Sequence, residues 1–363
     1  MTGVAVLGST GSIGCATLDV LRRHPDRFRL VALTAGSNRA ALEAQVAEWK
    51  PAYSRLGNGS PHHLIEAATR PDADIVVNAV VGFAGLEATL AALRAGKRVA
   101  LANKESLVVA GELVERARAE GGGELVPIDS EHSAVLQCLA GAKSPASRLI
   151  LTASGGPFRG WSADRVAAAS VEQALNHPTW RMGNKITVDS ATLANKAMEV
   201  IEGHFLFRLP YAAIEAVVHP QSIVHAFVEF ADGSVLAQMG FPSMELPILY
   251  ALTYPERLPD AGVRRFDPVA AGPLTFEPLR GDVFRAFAAG VAAGRCGGTA
   301  PAVFNAVNEV AVARFLEGRL GFGRIAEVIE AVLARHPVAR VNQLADVQAA
   351  DQWARLEAAK EIG

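Results

Sequence analysis

"VAVLGSTGSIGCATLDVLRRH" (residues 4–24) sets an apolar run, a glycine-rich turn and an amphipathic stretch end to end. It reads as strand, turn, helix. Gly8, Gly11 and Gly14 let the backbone turn tightly and come close to a pyrophosphate, and the helix start offers N–H groups and partial positive charge to that anion. The spacing is GxxGxxG, not GxGxxG, and by itself it also suits an ordinary tight βα turn. The strand before and the helix after supply the context that dinucleotide binding requires.

The same texture continues outward. "FRLVALTAG", "ADIVVNAVVG", "RVALAN" and "ELVPIDS" read as strands, with "ALEAQVAEW", "LEATLAALRAG" and "GELVERARAEGG" as helices between them. Strands alternating with short helices predict a parallel sheet covered on both faces, a Rossmann-type domain over residues 1–128. From residue 129 the strands lengthen, in "SRLILTASGGPF" and "AIEAVVHPQSIVHAFVEFADGSVLAQMG", where "ADGS" between two alternating runs signals a hairpin. This predicts a central α+β catalytic domain with a mixed sheet over 129–254. Residues 255–281 read as a linker rich in Pro, Gly and Arg, and 282–363 as a C-terminal helical domain. The fold class expected is therefore α/β, with these α+β and helical additions.

Composition bounds the function. The 363 residues carry a formal net charge of −2 and are 50% hydrophobic and 20% charged. That is a globular composition without the basic surface of a nucleic-acid binder. Cys15, Cys138 and Cys296 are far apart and form no CxxC pair, which argues against a disulfide framework or a structural zinc site. No leader or membrane span is read, so a cytoplasmic protein is expected.

The second strand bears on the nucleotide. Where an NAD site carries Asp or Glu for the ribose 2′-OH, "LTAGSNRA" ends in Ser37, Asn38 and Arg39. Hydroxyl, amide and guanidinium suit a 2′-phosphate, which predicts NADP over NAD. The alternative is that Arg39 merely begins a surface helix.

"PIDSEHSA" (residues 127–134) places Asp129 and Glu131 two positions apart. In an extended segment both carboxylates would face one side, as a hard divalent cation such as Mg²⁺ or Mn²⁺ requires. Alone, D-x-E is more often a solvated turn. In "VDSATLANKAMEVIEGHF" Ser190 reads as the N-cap region of a helix, with Asn195, Lys196 and Glu199 on neighbouring parts of one face. Periodicity leaves Glu199 and Glu202 equally eligible as a third acid. "LTASGGPF" sets Ser154 and two glycines directly after a strand. "HPTWRMGNK" puts His177, Trp180 and Met182 in a loop suited to be a lid, and "VVHPQS" ends a strand with His219.

Taken together, "GSTGSIG", "LANKESLV", "PIDSEHSA", "SGGPF", "HPTWRMGNKITVDSATLANKAMEVIEGHFLF", "HPQSIVHAFVEFADGSVLAQMGFPSM" and "FNAVNEVAV" resemble, in this order, the 1-deoxy-D-xylulose-5-phosphate reductoisomerase family of the non-mevalonate isoprenoid pathway. The resemblance implies conversion of 1-deoxy-D-xylulose 5-phosphate and NADPH to 2-C-methyl-D-erythritol 4-phosphate, with Mg²⁺, Mn²⁺ or Co²⁺ and a homodimer. It implies Asp129, Glu131 and Glu199 as metal ligands, which favours Glu199 over Glu202. It assigns Ser154, Ser190, Asn195 and Lys196 to the substrate phosphate, and Ser130 and Lys104 to its oxygenated carbons. His177 and Trp180 become the lid, and His132, His219 and Met244 the pocket lining. Lys104, Glu131, His132, His177, Trp180 and His219 form the catalytic group, with no proton-transfer role assigned among them. Thr10, Gly11, Ser12, Ile13, Gly36, Asn38, Asn103, Glu105 and Gly183 fall at the NADPH site, beside Gly8, Gly14, Ser37 and Arg39. Ser37 stands where many members carry Lys, so Arg39 is the candidate to take over that contact.

Two competing readings share the glycine turn. An NADP-dependent semialdehyde or homoserine-type dehydrogenase would turn over after chelation, and a nucleotide-sensing regulator would bind NADPH without sugar-phosphate turnover.

Overall fold

The computed structural model describes residues 1–57 and 59–363. The chain forms two compact units. The first comprises Met1–Ser106, Glu112–Ala140 and Ser243–Arg265, and the second Leu107–Gly111, Gly141–Pro242 and Phe266–Gly363. This division differs from the one drawn on sequence texture. Asp129 to Ala140 and residues 243–265 belong with the nucleotide-type sheet.

The first unit is built on six parallel strands: β1 (Thr2–Leu7), β2 (Phe28–Ala35), β3 (Tyr53–Leu56), β4 (Ile75–Asn78), β5 (Arg98–Leu101) and β6 (Glu124–Pro127), ordered β3-β2-β1-β4-β5-β6. Val4, Ala5, Val6 and Leu7 are wholly buried, as continuous apolar strands covered on both faces must be. The order reverses between β1 and β4, and such folds bind ligands at that reversal, beyond the carboxyl ends of the strands. β3 and the helix His62–Ala68 were not legible in the sequence. β3 has four residues at the sheet's edge, none fully buried, so it shows neither a buried run nor an alternation. The helix Glu245–Thr253 sends Ile248, Leu249 and Leu252 into the same core as Val4, Leu21, Leu33 and Ile128. Arg23 reinforces this attachment through Asp260 and Glu245, at 2.8 Å each.

One long helix, Glu105–Gly121, is broken at Ala110 (φ −149°, ψ 34°). The sequence reading began it at Gly111, past the break. Its Leu107–Gly111 stretch counts with the second unit.

The second unit holds a mixed sheet of β7 (Ala146–Ala153), β8 (Ile214–Val218), β9 (Val224–Phe230), β10 (Val235–Met239) and β11 (Glu277–Pro278), ordered β10-β9-β7-β8-β11. β7 and β8 run parallel, and the other pairs are antiparallel. The β9–β10 hairpin turns where "ADGS" placed it, at Gly233 with φ +82°. β11 and a short helix, Pro268–Ala271, lie within the stretch read as a linker; backbone pairing to Val217 and Val218 is not visible in composition. Helices Arg285–Cys296, Ala300–Leu316, Phe322–Arg335 and Leu344–Ile362 form the C-terminal helical region, as expected. Among the described residues no helix is long and apolar enough to cross a membrane.

Candidate active site

In the first unit the glycine turn occupies the end of β1. Gly8 sits at φ +79°, and a Cβ there would stand 2.7 Å from the Ala79 carbonyl oxygen. A Cβ on Gly14 would stand 2.4 Å from the Gly8 carbonyl oxygen, so these two glycines are dictated by the protein's own packing. Gly11 is different. Its φ is −80° and the nearest atom to a Cβ lies 3.4 Å away, so the space beside it is open to a ligand. The helix Ser12–Arg23 starts with no side-chain cap and no acid in its first turn, the arrangement that leaves its N-terminus for an anion. Ile13 is partly buried against the core, whereas Ser12 is exposed.

At the end of β2 a Cβ on Gly36 would meet nothing within 4 Å. Asn38 caps the next helix, its Oδ1 accepting from the Ala41 N–H at 3.1 Å. Arg39 is exposed, its nearest carboxylate being Glu43 at 3.8 Å, so the guanidinium can turn to a phosphate with little loss.

Asn103, Lys104 and Glu105 follow β5. Asn103 is buried, and its Nδ2 donates to the carbonyls of Val80 and Gly82 at 2.8 Å each and to Glu105 at 3.1 Å. Its Oδ1 accepts from the Ser106 hydroxyl. The amide expected at the cofactor shapes the loop after β4. Lys104 is nearly buried, with Nζ 2.8 Å from Asp129 Oδ2. The extended reading of "PIDSEHSA" is corrected here. Asp129 (φ −50°, ψ 131°) is the N-cap of the helix Ser130–Leu139 and Glu131 is its second residue. A proline-terminated strand hides the helix start that follows it. Both acids stand at the N-terminal end of a helix. The Ser130 hydroxyl donates to Glu131, and His132 is fully buried. Met244 packs against this unit's core.

In the second unit Ser154 directly follows β7, and the glycines after it have φ +82° and +64°. A Cβ on Gly156 would stand 2.8 Å from the Ser190 carbonyl oxygen, so glycine there allows the two segments to approach. His177 joins them: Nε2 lies 3.0 Å from the Ser154 hydroxyl and 3.1 Å from that of Ser190. Nδ1 accepts the N–H groups of Thr179 (3.1 Å) and Trp180 (2.9 Å). An acceptor Nδ1 places the proton on Nε2, between the two hydroxyls. Burial pushes this imidazole below its ordinary value, so it is neutral at pH 7. Two hydroxyls and a ring N–H thus gather at one point, each able to face an anionic oxygen.

Ser190 is not an N-cap, as the sequence suggested. It lies in the last turn of the helix Asn184–Thr192; Leu193, at φ 58°, then breaks the run and Ala194–Phe207 begins. The apolar periodicity runs on through that break, which is why it was missed. Gly183 is the N-cap of the first of these helices. On the second, Lys196 and Glu199 are buried, 3% and 1% exposed. Lys196 Nζ donates to the Thr152 carbonyl at 2.6 Å and to the Glu199 carboxylate, while Asn195 Nδ2 reaches the other Glu199 oxygen at 2.5 Å. The sequence saw this stripe but not its burial. Glu202 is buried as well.

His219 follows β8 directly. It is fully buried, and Nδ1 donates to the Thr275 carbonyl at 2.8 Å while Nε2 accepts from the Ile223 N–H at 3.1 Å. Both nitrogens are held by backbone, and Phe276 stacks on the ring at 4.6 Å. Its geometry suits positioning, not proton transfer. Asp189 and Asn308 carry no motif signal in the sequence, although each stands as a polar residue inside an apolar run.

A parallel sheet of this order, with a glycine turn at its reversal and a second unit rich in buried polar groups, defines a Rossmann-type dinucleotide-binding protein with an attached α+β unit. Comparison with known proteins narrows this. The family model described as 1-deoxy-D-xylulose 5-phosphate reductoisomerase matches residues 4–63 and 56–111, and models of that enzyme's C-terminal domains match 125–207 and 239–357. The chain is 49% identical to 1-deoxy-D-xylulose 5-phosphate reductoisomerase of Chlorobium chlorochromatii and 48% to that of Geobacillus kaustophilus, each over 98% of both chains. A crystal structure of DOX-P reductoisomerase in complex with NADPH, fosmidomycin and magnesium superposes with a TM-score of 0.93 at 38% identity, covering 100% of this chain and 98% of that one. The enzyme from Zymomonas mobilis in complex with NADPH gives 0.90 at 40% identity over 99% of each. The chain belongs to the 1-deoxy-D-xylulose 5-phosphate reductoisomerase family.

Proposed function

We propose that this protein converts 1-deoxy-D-xylulose 5-phosphate to 2-C-methyl-D-erythritol 4-phosphate with NADPH and a divalent cation, supplying isoprenoid precursors. The full-length family match carries this reading. Asp129, Glu131 and Glu199 are proposed as the cation's ligands. The set is all carboxylate, which suits Mg²⁺ or Mn²⁺ and not a thiophilic metal. A bound cation supplies Lewis-acid polarisation of the substrate's carbonyl and neighbouring hydroxyl oxygens, and NADPH supplies the hydride.

The chain's own groups bind and orient. The open face of Gly11, the uncapped helix start after it and the exposed Arg39 take the cofactor's pyrophosphate and 2′-phosphate. Ser154 and Ser190, held 3.0 and 3.1 Å from one imidazole nitrogen, turn their hydroxyls toward the substrate phosphate, joined by Asn195 and Lys196. Lys104 provides a fixed positive charge against oxyanion character at the substrate's oxygenated carbons. Because His177 holds the backbone of Thr179 and Trp180, phosphate binding at the hydroxyls and ordering of the loop at Trp180 are linked through one ring. Lid closure over the phosphate would exclude water from the aldehyde stage.

Homodimer formation and a cytoplasmic setting belong to the same proposal. The exposed edge strand β10, with Val235 and Leu236 about half exposed, supports association with a second copy. The deciding test is NADPH oxidation with 1-deoxy-D-xylulose 5-phosphate, with and without EDTA. Turnover that persists after chelation would favour a plain dehydrogenase, and cofactor binding without turnover would favour a sensor.

A further inference from the structure

The helix Asn184–Thr192 carries Ser190 on one side and a buried charge on another. Asp189 is wholly buried. One turn earlier Lys185 brings Nζ to 2.9 Å from Asp189 Oδ2. The other carboxylate oxygen accepts from Asn308 Nδ2 at 2.7 Å. Asn308 lies in the middle of the helix Ala300–Leu316, is itself wholly buried, and its Oδ1 has no hydrogen-bond partner among the described residues. A buried carboxylate deprived of one donor is costly, so it fixes where its helix sits. An amide kept in an apolar helix interior with half its bonding capacity unused implies that the bond it does make matters.

We infer that Asn308 is a positioning residue for the phosphate-binding hydroxyls: through Asp189 it fixes the helix that presents Ser190 to His177, and so the turn at Thr179 and Trp180. The inference rests on the assignment of Ser154, Ser190 and His177 made under the proposed function. A bond that served folding stability alone would leave His177 and the Michaelis constant untouched. The two roles predict different results.

The variant is Asn308→Leu, which keeps the side-chain shape and removes the donor. With the donor gone, Ser190 drifts from His177, the ring gains solvent, and its titration midpoint rises toward the ordinary histidine value. The Michaelis constant for 1-deoxy-D-xylulose 5-phosphate rises about tenfold, the effect of roughly one charge-assisted hydrogen bond, while the dissociation constant for NADPH stays within about twofold. Should Asn308→Leu fail to fold, Asn308→Ser, which is smaller and retains a hydroxyl donor, gives the same readouts at reduced size.

His177 is followed by NMR of its ring nitrogens, without substrate, so this arm decides the inference even if the wild-type protein shows no reductoisomerase activity. An unmoved His177 midpoint together with an unchanged Michaelis constant, accompanied by a lowered melting temperature alone, assigns Asn308 to stability and overturns the inference. A moved midpoint in a protein that never turns over the sugar phosphate sustains the coupling and removes the functional reading instead.

Discussion

Gly11 and Gly14 stand three residues apart in one turn, yet they answer to different constraints, and a pair of alanine substitutions separates them. A Cβ on Gly14 would lie 2.4 Å from the Gly8 carbonyl oxygen, 2.5 Å from Ser9 Cα and 2.6 Å from the Ser9 carbonyl carbon. All three are backbone atoms and cannot rotate away. Ordinary carbon contacts sit near 3.5 Å, so the helix must move off the strand by about 1 Å. Overpacking of this kind costs about 1–3 kcal/mol, or about 2–12 °C in melting temperature for a domain of roughly 150–250 residues. Gly11 has a negative φ and a 3.4 Å clearance, so Gly11→Ala should fold with stability within about 0.5 kcal/mol of the parent. Its methyl instead fills the space kept for the pyrophosphate and should weaken NADPH at least about tenfold, 1.4 kcal/mol. Thermal melts without ligand and NADPH titration by fluorescence read the two effects separately. Equal destabilisation by both changes, or undiminished NADPH affinity in Gly11→Ala, would refute this division of labour.

Arg39→Ala should raise the Michaelis constant for NADPH about tenfold and leave that for NADH within about twofold, since only NADPH carries the 2′-phosphate; parallel kinetics with the two cofactors check this. Glu199→Ala removes the partner of buried Lys196 and should lose about 3–5 kcal/mol of stability, whereas Glu199→Gln, keeping the shape, should lose less while abolishing Mn²⁺ binding by calorimetry; retained Mn²⁺ affinity would remove Glu199 from the ligand set. Burial lowers the His177 imidazole from its ordinary 6.5, so the folded state binds this proton less readily than the unfolded one. Its contribution is fully present above about pH 6.5 and is lost as the pH falls through the depressed folded value. A protonated Nδ1 cannot accept the Thr179 and Trp180 N–H groups, and Trp180 fluorescence should report loosening of the loop on acidification; a pH-independent Trp180 signal that His177→Gln leaves unaltered would contradict it.

The local grammar of the first unit was open to reading. Continuous apolar strands, a glycine turn and glycine-stopped helices determine a parallel sheet because each signal is set by neighbours in the chain. The β9–β10 hairpin and the C-terminal helices were legible for the same reason. Short edge pieces were not: β3 and β11 owe their conformation to a partner strand, and the four residues of one and the two of the other carry no period of their own. Helix starts failed wherever backbone conformation, not residue type, decided them, as at Asp129 and at Leu193 with its left-handed φ.

Residue types at the site were likewise present in the sequence, and resemblance grouped them, but their states were not. Whether Lys196 and Glu199 form a solvated surface pair or a buried one depends on what covers their helix. What the Nε2–H of His177 meets depends on hydroxyls 23 and 13 residues away. His219 looked like a strand-end imidazole available for chemistry until Thr275 and Ile223 occupied both of its nitrogens. The bond from Asn308 to Asp189 spans 119 residues. The sequence by itself determined the periods, the turns and the inventory of chemical groups, because these follow from short-range sterics and side-chain identity. The tertiary structure alone decided burial, tautomer and pairing, because desolvation and hydrogen bonding depend on atoms that distant parts of the chain bring near.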